Sequence, residues 1–89
     1  MKDPAPARDE GRLERRMTVT HVRVRNDRAE VMFVESARIY RLARSNPVYK
    51  ETLDTLRAAA ASARSVRVRF DKPNGEVIER ASTNEGIAL

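Results

Sequence analysis

The stretch that decides the fold is residues 66–81, VRVRFDKPNGEVIERA. Valine or phenylalanine alternates with arginine over its first positions, and this period of two is typical of a β-strand with one buried face. The tetrapeptide KPNG at residues 72–75 is a turn signal, because proline presets φ and the Asn-Gly pair accepts positive φ. Apolar residues resume after the turn, so the stretch predicts a β-hairpin over residues 65–82.

Three further strands are predicted upstream of the hairpin. Residues 18–25 alternate between apolar and polar side chains, which again indicates a half-buried strand. Residues 30–35 contain the continuous apolar run VMFV, and such a run is typical of a strand buried on both faces. Residues 37–43 form the third strand, with Ser36 at the kink that separates it from the second.

One helix is predicted between the two groups of strands. Asn46 followed by Pro47 favours a helix start, because the asparagine side chain accepts a hydrogen bond from a free backbone amide and proline has no amide to leave unpaired. Apolar side chains then recur at helical spacing and predict a buried stripe of Tyr49, Leu53, Leu56, Ala60 and Ala63. The helix is expected to end between residues 62 and 65.

The order of elements is β-β-β-α-β-β, which indicates an α+β, β-rich domain of five antiparallel strands and one helix. This order resembles the OB-fold, a small five-stranded barrel whose helix lies between the third and fourth strands. An open antiparallel sheet with one helix packed across it has the same order, so both architectures remain candidates. The domain is assigned to residues 17–83, with a disordered N-terminal tail at 1–16 and a flexible C-terminal tail at 84–89.

The composition excludes several classes of protein. With 89 residues and a mass of 10.1 kDa, the chain is long enough for one domain. Cysteine is absent, which excludes disulfides, a thiolate nucleophile and a Cys-ligated metal, and the single His21 excludes a multi-histidine zinc site. No apolar run approaches the ~18 residues of a membrane span, and the N-terminus has no signal-like apolar core, so a cytoplasmic protein without a membrane partner is expected.

The titratable residues give little support for catalysis. His21 shares a strand face with two arginines, whose charge disfavours a protonated ring, and no serine or carboxylate lies beside it in the sequence. The carboxylates have no spacing that brings two of them together, and the glycines stand too far apart to form a phosphate-binding loop. The sequence therefore predicts no catalytic residue, no metal and no cofactor, and it predicts that the chain is not an enzyme.

Arginine is the residue type with the clearest functional meaning. It outnumbers lysine fifteen to three in a chain whose net charge is +5. Arg23 and Arg25 share one face of the first strand, and Arg67 and Arg69 share one face of the fourth. In a barrel of the OB type these strands are neighbours, so the four guanidinium groups are expected to form one patch, with Tyr40 as a stacking platform for a base. A GC-rich genome would produce the same excess of arginine without any function.

Two functions fit these observations. The first is a small binding module that engages nucleic acid through the arginine patch, with weak sequence selectivity and a steep dependence on salt. The second is a protein-interaction or homodimerisation module without a role in nucleic-acid binding. In that case the edge strands and the helix surface carry the contact, and the arginines meet an acidic partner.

Overall fold

One long strand organises the sheet. The structure, a computed structural model, describes residues 13–83, and its elements follow the predicted order. In chain order they are β1 (Glu14–Val24), β2 (Arg28–Phe33), β3 (Ser36–Ala43), α1 (Tyr49–Ser62), β4 (Ser65–Phe70) and β5 (Ile78–Ser82). The prediction of an α+β, β-rich domain with five antiparallel strands and one helix is confirmed.

The strands form one sheet in the order β3-β2-β1-β4-β5. β1 lies at its centre because the two halves of this strand pair with different neighbours. In the first half Met17 faces Val66 of β4, and in the second half Val22 faces Val31 of β2. The register shifts in the middle of β1, and an irregularity of this kind lets a strand bend.

Both edge strands of the sheet have contacts along their outer side. In β3 the Arg41 N–H donates to the Glu76 carbonyl oxygen over 2.8 Å, and Arg41 forms an isolated parallel bridge with Val77. In β5 the Glu79 carbonyl oxygen accepts a hydrogen bond from Asn46 Nδ2 over 2.9 Å. These contacts occupy backbone groups that an edge strand otherwise offers to another chain.

β1 begins earlier than the sequence indicates. Residues 14–16, which the sequence places in the N-terminal tail, are the first positions of β1 and pair with β4. They extend the strand because the alternation continues upstream of Met17, which is buried. The remainder of the two predicted tails, residues 1–12 and 84–89, lies outside the described residues.

The core lies between the inner face of the sheet and α1, which packs mainly against β1 and β5. Tyr40 is buried within it, with its ring centroid 5.2 Å from that of Phe33 and 5.3 Å from that of Phe70. The buried apolar residues are Met17, Val19, Ala29, Val31, Phe33, Tyr40, Leu42, Leu53, Leu56, Ala59, Val66, Val68, Phe70, Ile78 and Ala81.

β2 is buried on one face, so the prediction of burial on both faces is wrong. Val31 and Phe33 lie in the core, whereas Met32 is 40% exposed and Val34, in the turn that follows, is 65% exposed. The reason is that α1 covers the inner face of the sheet, and within residues 13–83 no second layer covers the outer face of β2. The run VMFV therefore leaves apolar side chains at the surface.

α1 begins after the predicted Asn-Pro start, and Asn46 does not cap it. The Asn46 Oδ1 atom accepts a hydrogen bond from the Val48 N–H over 2.8 Å, while its side-chain amide faces β5. The predicted end is confirmed, since α1 ends at Ser62 and Ala63 adopts the left-handed conformation with φ 54°. Along the predicted stripe, Leu53 and Leu56 are buried, Tyr49 and Ala60 are half-buried, and Ala63 is exposed. This helix, in the part of the chain that is described, is not long and apolar enough to cross a membrane.

The predicted hairpin is present, with a longer loop than the sequence indicates. β4 and β5 pair antiparallel, and in the turn the Gly75 N–H donates to the Lys72 carbonyl oxygen over 2.9 Å. Asn74 adopts the positive φ, at 62°. β5 starts only at Ile78, because Glu76 turns towards β3 instead of continuing the ladder with β4.

Candidate anion-binding site

The structure places the four predicted arginines in two separate groups. Arg67 faces Arg16 across the β1–β4 ladder, and Arg23 lies seven positions further along β1. At ~3.3 Å per residue, the Arg16 and Arg23 positions are ~23 Å apart along the strand. β4 pairs with the first half of β1 only, so the single patch that the sequence predicts does not form.

Tyr40 is buried in the core and is not part of the candidate site. Its side chain is only 1% exposed, and its hydroxyl donates to Ser36 Oγ over 3.0 Å. The Arg38 guanidinium carbon lies 5.6 Å from the centroid of the ring. A base cannot reach a ring enclosed in this way, which corrects the prediction that Tyr40 is a stacking platform.

Arg67 and Arg69 do lie in an arginine cluster, but with different partners from those predicted. We call the outer face of β1, β4 and β5 that carries Arg16, Arg67, Arg69 and Arg80 the arginine face. The register sets Arg67 directly opposite Arg16, and Arg69 directly opposite Arg80. Like charges directly opposite each other on neighbouring strands destabilise a sheet, so each of these pairs favours a bound anion.

Sequence reasoning missed two members of this face. Arg16 was assigned to the tail, although Glu14, Arg16 and Thr18 continue the polar half of the alternation in β1. Arg80 lies next to a register shift in the β4–β5 ladder, where simple alternation fails to give the direction of a side chain. An upstream extension of the alternating pattern would have identified Arg16, but no local signal identifies Arg80.

Two carboxylates partly neutralise the arginine face. Glu14 lies 3.5 Å from Arg67 Nη1 and 3.6 Å from Arg69 Nη1, and Glu79 accepts a hydrogen bond from Arg69 Nε over 3.3 Å. Arg80 is exposed and forms no ion pair with any residue from 13 to 83. Among residues 13–83, four guanidinium groups and two carboxylates on the face sum to a formal charge of +2.

An open depression borders the arginine face beside β5. It is lined by the three residues that precede α1 and by charged side chains of the β4–β5 hairpin. The residues that line it are Asn46, Pro47, Val48, Arg69, Glu79 and Arg80. Because guanidinium groups bind phosphate and carboxylate in bidentate fashion, Arg69 and Arg80 can hold an anion at this position.

The second group of arginines lies at the C-terminal end of β1. Two of its members form ion pairs with two nearby carboxylates, Asp27 and Glu30. Arg25 Nε lies 3.6 Å from Glu30, and Arg28 donates to both Glu30 (3.1 Å) and Asp27 (2.9 Å). Arg23 faces Glu30 across the ladder and makes no ion pair within the described part of the chain. Since most of the positive charge here is already paired, this group is the weaker anion site.

Two carboxylates have lowered pKa values, and both are engaged in the fold. Burial raises the pKa of Glu35, but hydrogen bonds from the Thr18 N–H (2.8 Å) and hydroxyl (2.7 Å) outweigh it, so the pKa lies below its ordinary value. The pKa of Glu76 is lowered chiefly by Arg38, which donates to it over 3.1 Å. Both side chains are thereby held as carboxylates near neutral pH.

The structure brings no metal-binding cluster together in the described residues. His21 lies exposed on β1, opposite Met32 of β2. Between residues 13 and 83, no group of three or more His, Asp or Glu side chains could hold a metal ion.

Comparison with known proteins gives a likeness of fold. No protein-family model and no curated protein matches the chain. Two solved structures do match: pro-protein-glutaminase, with a TM-score of 0.67 and 20% identity, and a mutant of it, with a TM-score of 0.66 and 18% identity. Each match covers 76% of this chain and 24% of the other, so the chain spans about a quarter of the length of these structures.

These matches correct one prediction. Both structures are of an enzyme precursor, which contradicts the prediction that the chain is not an enzyme. At 18% and 20% identity the likeness shows the fold and does not assign the activity of those proteins to this chain.

Proposed function

We propose that the chain binds nucleic acid through its phosphate backbone, with the arginine face as the binding surface. The observation that carries the proposal is the register of β1, β4 and β5, which sets Arg16 against Arg67 and Arg69 against Arg80. A phosphate bound between two opposed guanidinium groups offsets their repulsion and accepts hydrogen bonds from both. We expect the chain to meet this ligand in the cytoplasm.

The aromatic residues indicate a ligand contacted through phosphates rather than bases. Stacking platforms for single strands are exposed aromatic rings. Phe33, Tyr40 and Phe70 are buried, and Tyr49 is half-buried against the core. Without an exposed ring in residues 13–83, base stacking has no support there, and contact through phosphates alone is expected to give weak sequence selectivity.

The strand order supports an OB-like description of the sheet. The two edges of the sheet approach each other at the bridge between Arg41 and Val77, as in a partly open five-stranded barrel. Folds of this type bind oligonucleotides in other proteins, but a shared fold is only an analogy. The arrangement of the arginines therefore carries more weight in the proposal than the fold does.

Homodimerisation through a sheet edge, the other function predicted from the sequence, has less support. Glu76 and Val77 lie against β3, and Asn46 lies against β5, so parts of both edges are occupied. Two copies of a chain with a net charge of +5 also repel each other. Sedimentation of the purified chain over a range of concentrations tests this function directly.

The test removes two charges from the arginine face and compares a matched control. The variant Arg67→Gln with Arg80→Gln loses two guanidinium groups from the face. The control, Lys50→Gln with Arg57→Gln, loses the same charge from exposed positions on α1. Binding is measured by fluorescence anisotropy with single- and double-stranded oligonucleotides of about 20 nucleotides, at ionic strengths below and above ~0.15 M.

The slope of affinity against salt gives the number of phosphates engaged. Four contacts on duplex DNA give a slope of log K against log salt of ~−3.6, and removal of two lowers it to ~−1.8. The control should keep the wild-type slope. An equal loss in both variants would mean attraction by net charge alone, and a wild-type chain that ignores every oligonucleotide would overturn the proposal.

The names of the structural neighbours add an activity to this experiment. Both neighbours are forms of protein-glutaminase, so the same preparation is assayed for glutaminase activity on a protein substrate. Activity would change the proposal to a nucleic-acid-binding enzyme. Its dependence on the two arginine variants would then show whether the arginine face takes part in the reaction.

A further inference from the structure

We infer that a second surface, on the opposite half of β1, docks an acidic protein partner. This surface is the outer face of β1, β2 and β3, and we call it the β2 face. It consists of an apolar row and a charged row that lie side by side across the three strands. It shares no residue with the arginine face, so the inference goes beyond the proposed function and stands independently of it.

The apolar row lies on β2 and β3, with His21 of β1 beside it. His21 faces Met32 across the β1–β2 ladder, and the pairing of Val31 with Tyr40 brings Met32 and Ile39 to neighbouring outward positions. Met32 is 40% exposed and Ile39 is 50% exposed. Single exposed apolar residues are ordinary, but neighbouring ones on an uncovered sheet face are typical of an interaction site.

Val34 extends this row beyond the end of β2. It is 65% exposed, in the turn between β2 and β3. Glu35, the next residue, is tied back to Thr18 by two hydrogen bonds, and the Val34 N–H donates to the Thr18 carbonyl oxygen over 2.9 Å. The turn is therefore fixed to β1, so Val34 is presented on a rigid element and loses little entropy when a partner binds.

The charged row lies one step along the strands from the apolar row. Arg23, Glu30 and Arg41 face one another in register across β1, β2 and β3. Glu30 already contacts Arg25 (3.6 Å) and Arg28 (3.1 Å), so it has little capacity left for a third arginine. Arg23 consequently has no ion-pair partner in the described residues, and a carboxylate from outside can take that place.

The balance of charge on this face specifies the occupant as acidic. Five basic side chains surround three carboxylates on the β2 face and its rim; the basic ones are Arg23, Arg25, Arg28, Arg41 and Arg44, and the acidic ones are Asp27, Glu30 and Glu76. A second copy of the chain would bring the same basic rim against itself, which charge repulsion opposes. An acidic partner meets the rim with the opposite charge.

The spacing of the two rows also specifies the shape of the partner. Glu30 and Met32 are two positions apart on β2, so the charged and apolar rows are separated by ~7 Å. A partner must therefore present a carboxylate and an apolar side chain at the same separation. An extended segment with an acidic and an apolar residue at positions i and i+2 meets this requirement, because these positions share one face of a strand.

The probe for this surface is a synthetic dodecapeptide with the repeat Leu-Ser-Glu-Ser, which places leucine and glutamate on one face of an extended strand, titrated into the full chain labelled for 15N–1H NMR. We expect shifts in β2, β3 and the second half of β1. The variant Met32→Ser with Ile39→Ser should weaken binding by about tenfold or more. The control, Val24→Ser with Val48→Ser, removes two exposed valines outside the rows and should leave the affinity unchanged.

Two further peptides separate the contributions of charge and apolar contact. The same peptide with serine in place of leucine, and the same peptide with lysine in place of glutamate, should each bind at least tenfold more weakly than the first. Equal binding of either peptide would overturn the inference, as would shifts confined to β4 and β5. Self-association that depends on Met32 and Ile39 would replace the acidic partner with a second copy. None of these outcomes changes the expected behaviour of the arginine face towards oligonucleotides.

Discussion

The hydroxyl of Tyr40 provides a direct test of the core. It donates to Ser36 Oγ over 3.0 Å, inside a group of rings formed with Phe33 and Phe70. The variant Tyr40→Phe removes this hydrogen bond and leaves the ring packing in place. An intramolecular hydrogen bond contributes ~1 kcal/mol net, so the free energy of unfolding should fall by about that amount.

The expected loss is measurable because the domain is small. At ~0.05–0.15 kcal/mol per residue, about 70 residues give a total stability of roughly 4–10 kcal/mol. A loss of ~1 kcal/mol in a domain of this size lowers Tm by ~4–8 °C. Tyr40→Ala also removes the ring; at a cost of roughly 3–5 kcal/mol for a buried aromatic, it should leave a large fraction of the chain unfolded.

Tyr49→Phe is the matched control for this experiment. Tyr49 is half-buried on α1, and its hydroxyl makes no hydrogen bond with the described residues, so its removal should not shift the transition. Urea and thermal unfolding followed by circular dichroism measure both variants. If the two variants unfold together, the Tyr40 hydroxyl bond contributes nothing. If Tyr40→Phe weakens oligonucleotide binding while the fold is intact, the burial argument fails.

The remaining predictions concern the loop between β4 and β5 and its neighbours. Arg38→Met should lower the urea midpoint, and its effect should shrink in a Glu76→Gln background, because Arg38 donates to Glu76 over 3.1 Å. The pKa of Glu76 is lowered in the folded chain, so its contribution to stability is present above the ordinary value of 4.5 and is lost as pH falls through the lower folded pKa; Glu76→Gln should abolish this component in urea titrations against pH. Gly75→Ala should destabilise the domain by ~1–3 kcal/mol in thermal unfolding, because its Cβ would lie 3.0 Å from the Lys72 carbonyl oxygen, a backbone atom that cannot rotate away as the nearby Asp71 side chain can. Asn46→Ala should cost ~1–2 kcal/mol by the same measurement, because the side chain bonds both Val48 and the edge of β5.

Local sequence patterns predicted the strands and the helix. The extent of β1 and the exposure of the outer face of β2 depend on long-range contacts instead. The hairpin and the end of α1 follow from turn residues and periodicity, and both are present. The local alternation continues through residues 14–16, but their pairing with β4, which makes them part of the sheet, is a long-range contact that the pattern does not specify. The exposure of Met32 likewise depends on the absence of a second layer over β2 in the described residues, which its own sequence does not encode.

In the candidate site, local alternation likewise predicted the direction of a side chain but not its neighbours. The outward direction of Arg67 followed correctly from the alternation in β4, but its neighbours depended on register. Tyr40 could have been placed correctly from the sequence. It lies two positions from Leu42 and so shares the inward face of β3, whereas Arg41 points outward. The arginines that flank Tyr40 in the sequence were the misleading signal.

The distance that separates the predicted arginines allows the two proposed surfaces to be tested independently. Arg80 of the arginine face lies on the edge strand β5, and Arg23 of the β2 face lies on the second half of the central strand β1; neither forms an ion pair inside residues 13–83. Substitutions more than ~7–10 Å apart without shared partners have additive effects. Arg80→Gln should therefore change oligonucleotide binding alone, and Arg23→Gln should change binding of the leucine–glutamate peptide alone. If either substitution changed both affinities, the arginine face and the β2 face would act as one binding surface. The assignment of the two faces to separate halves of β1 would then be wrong.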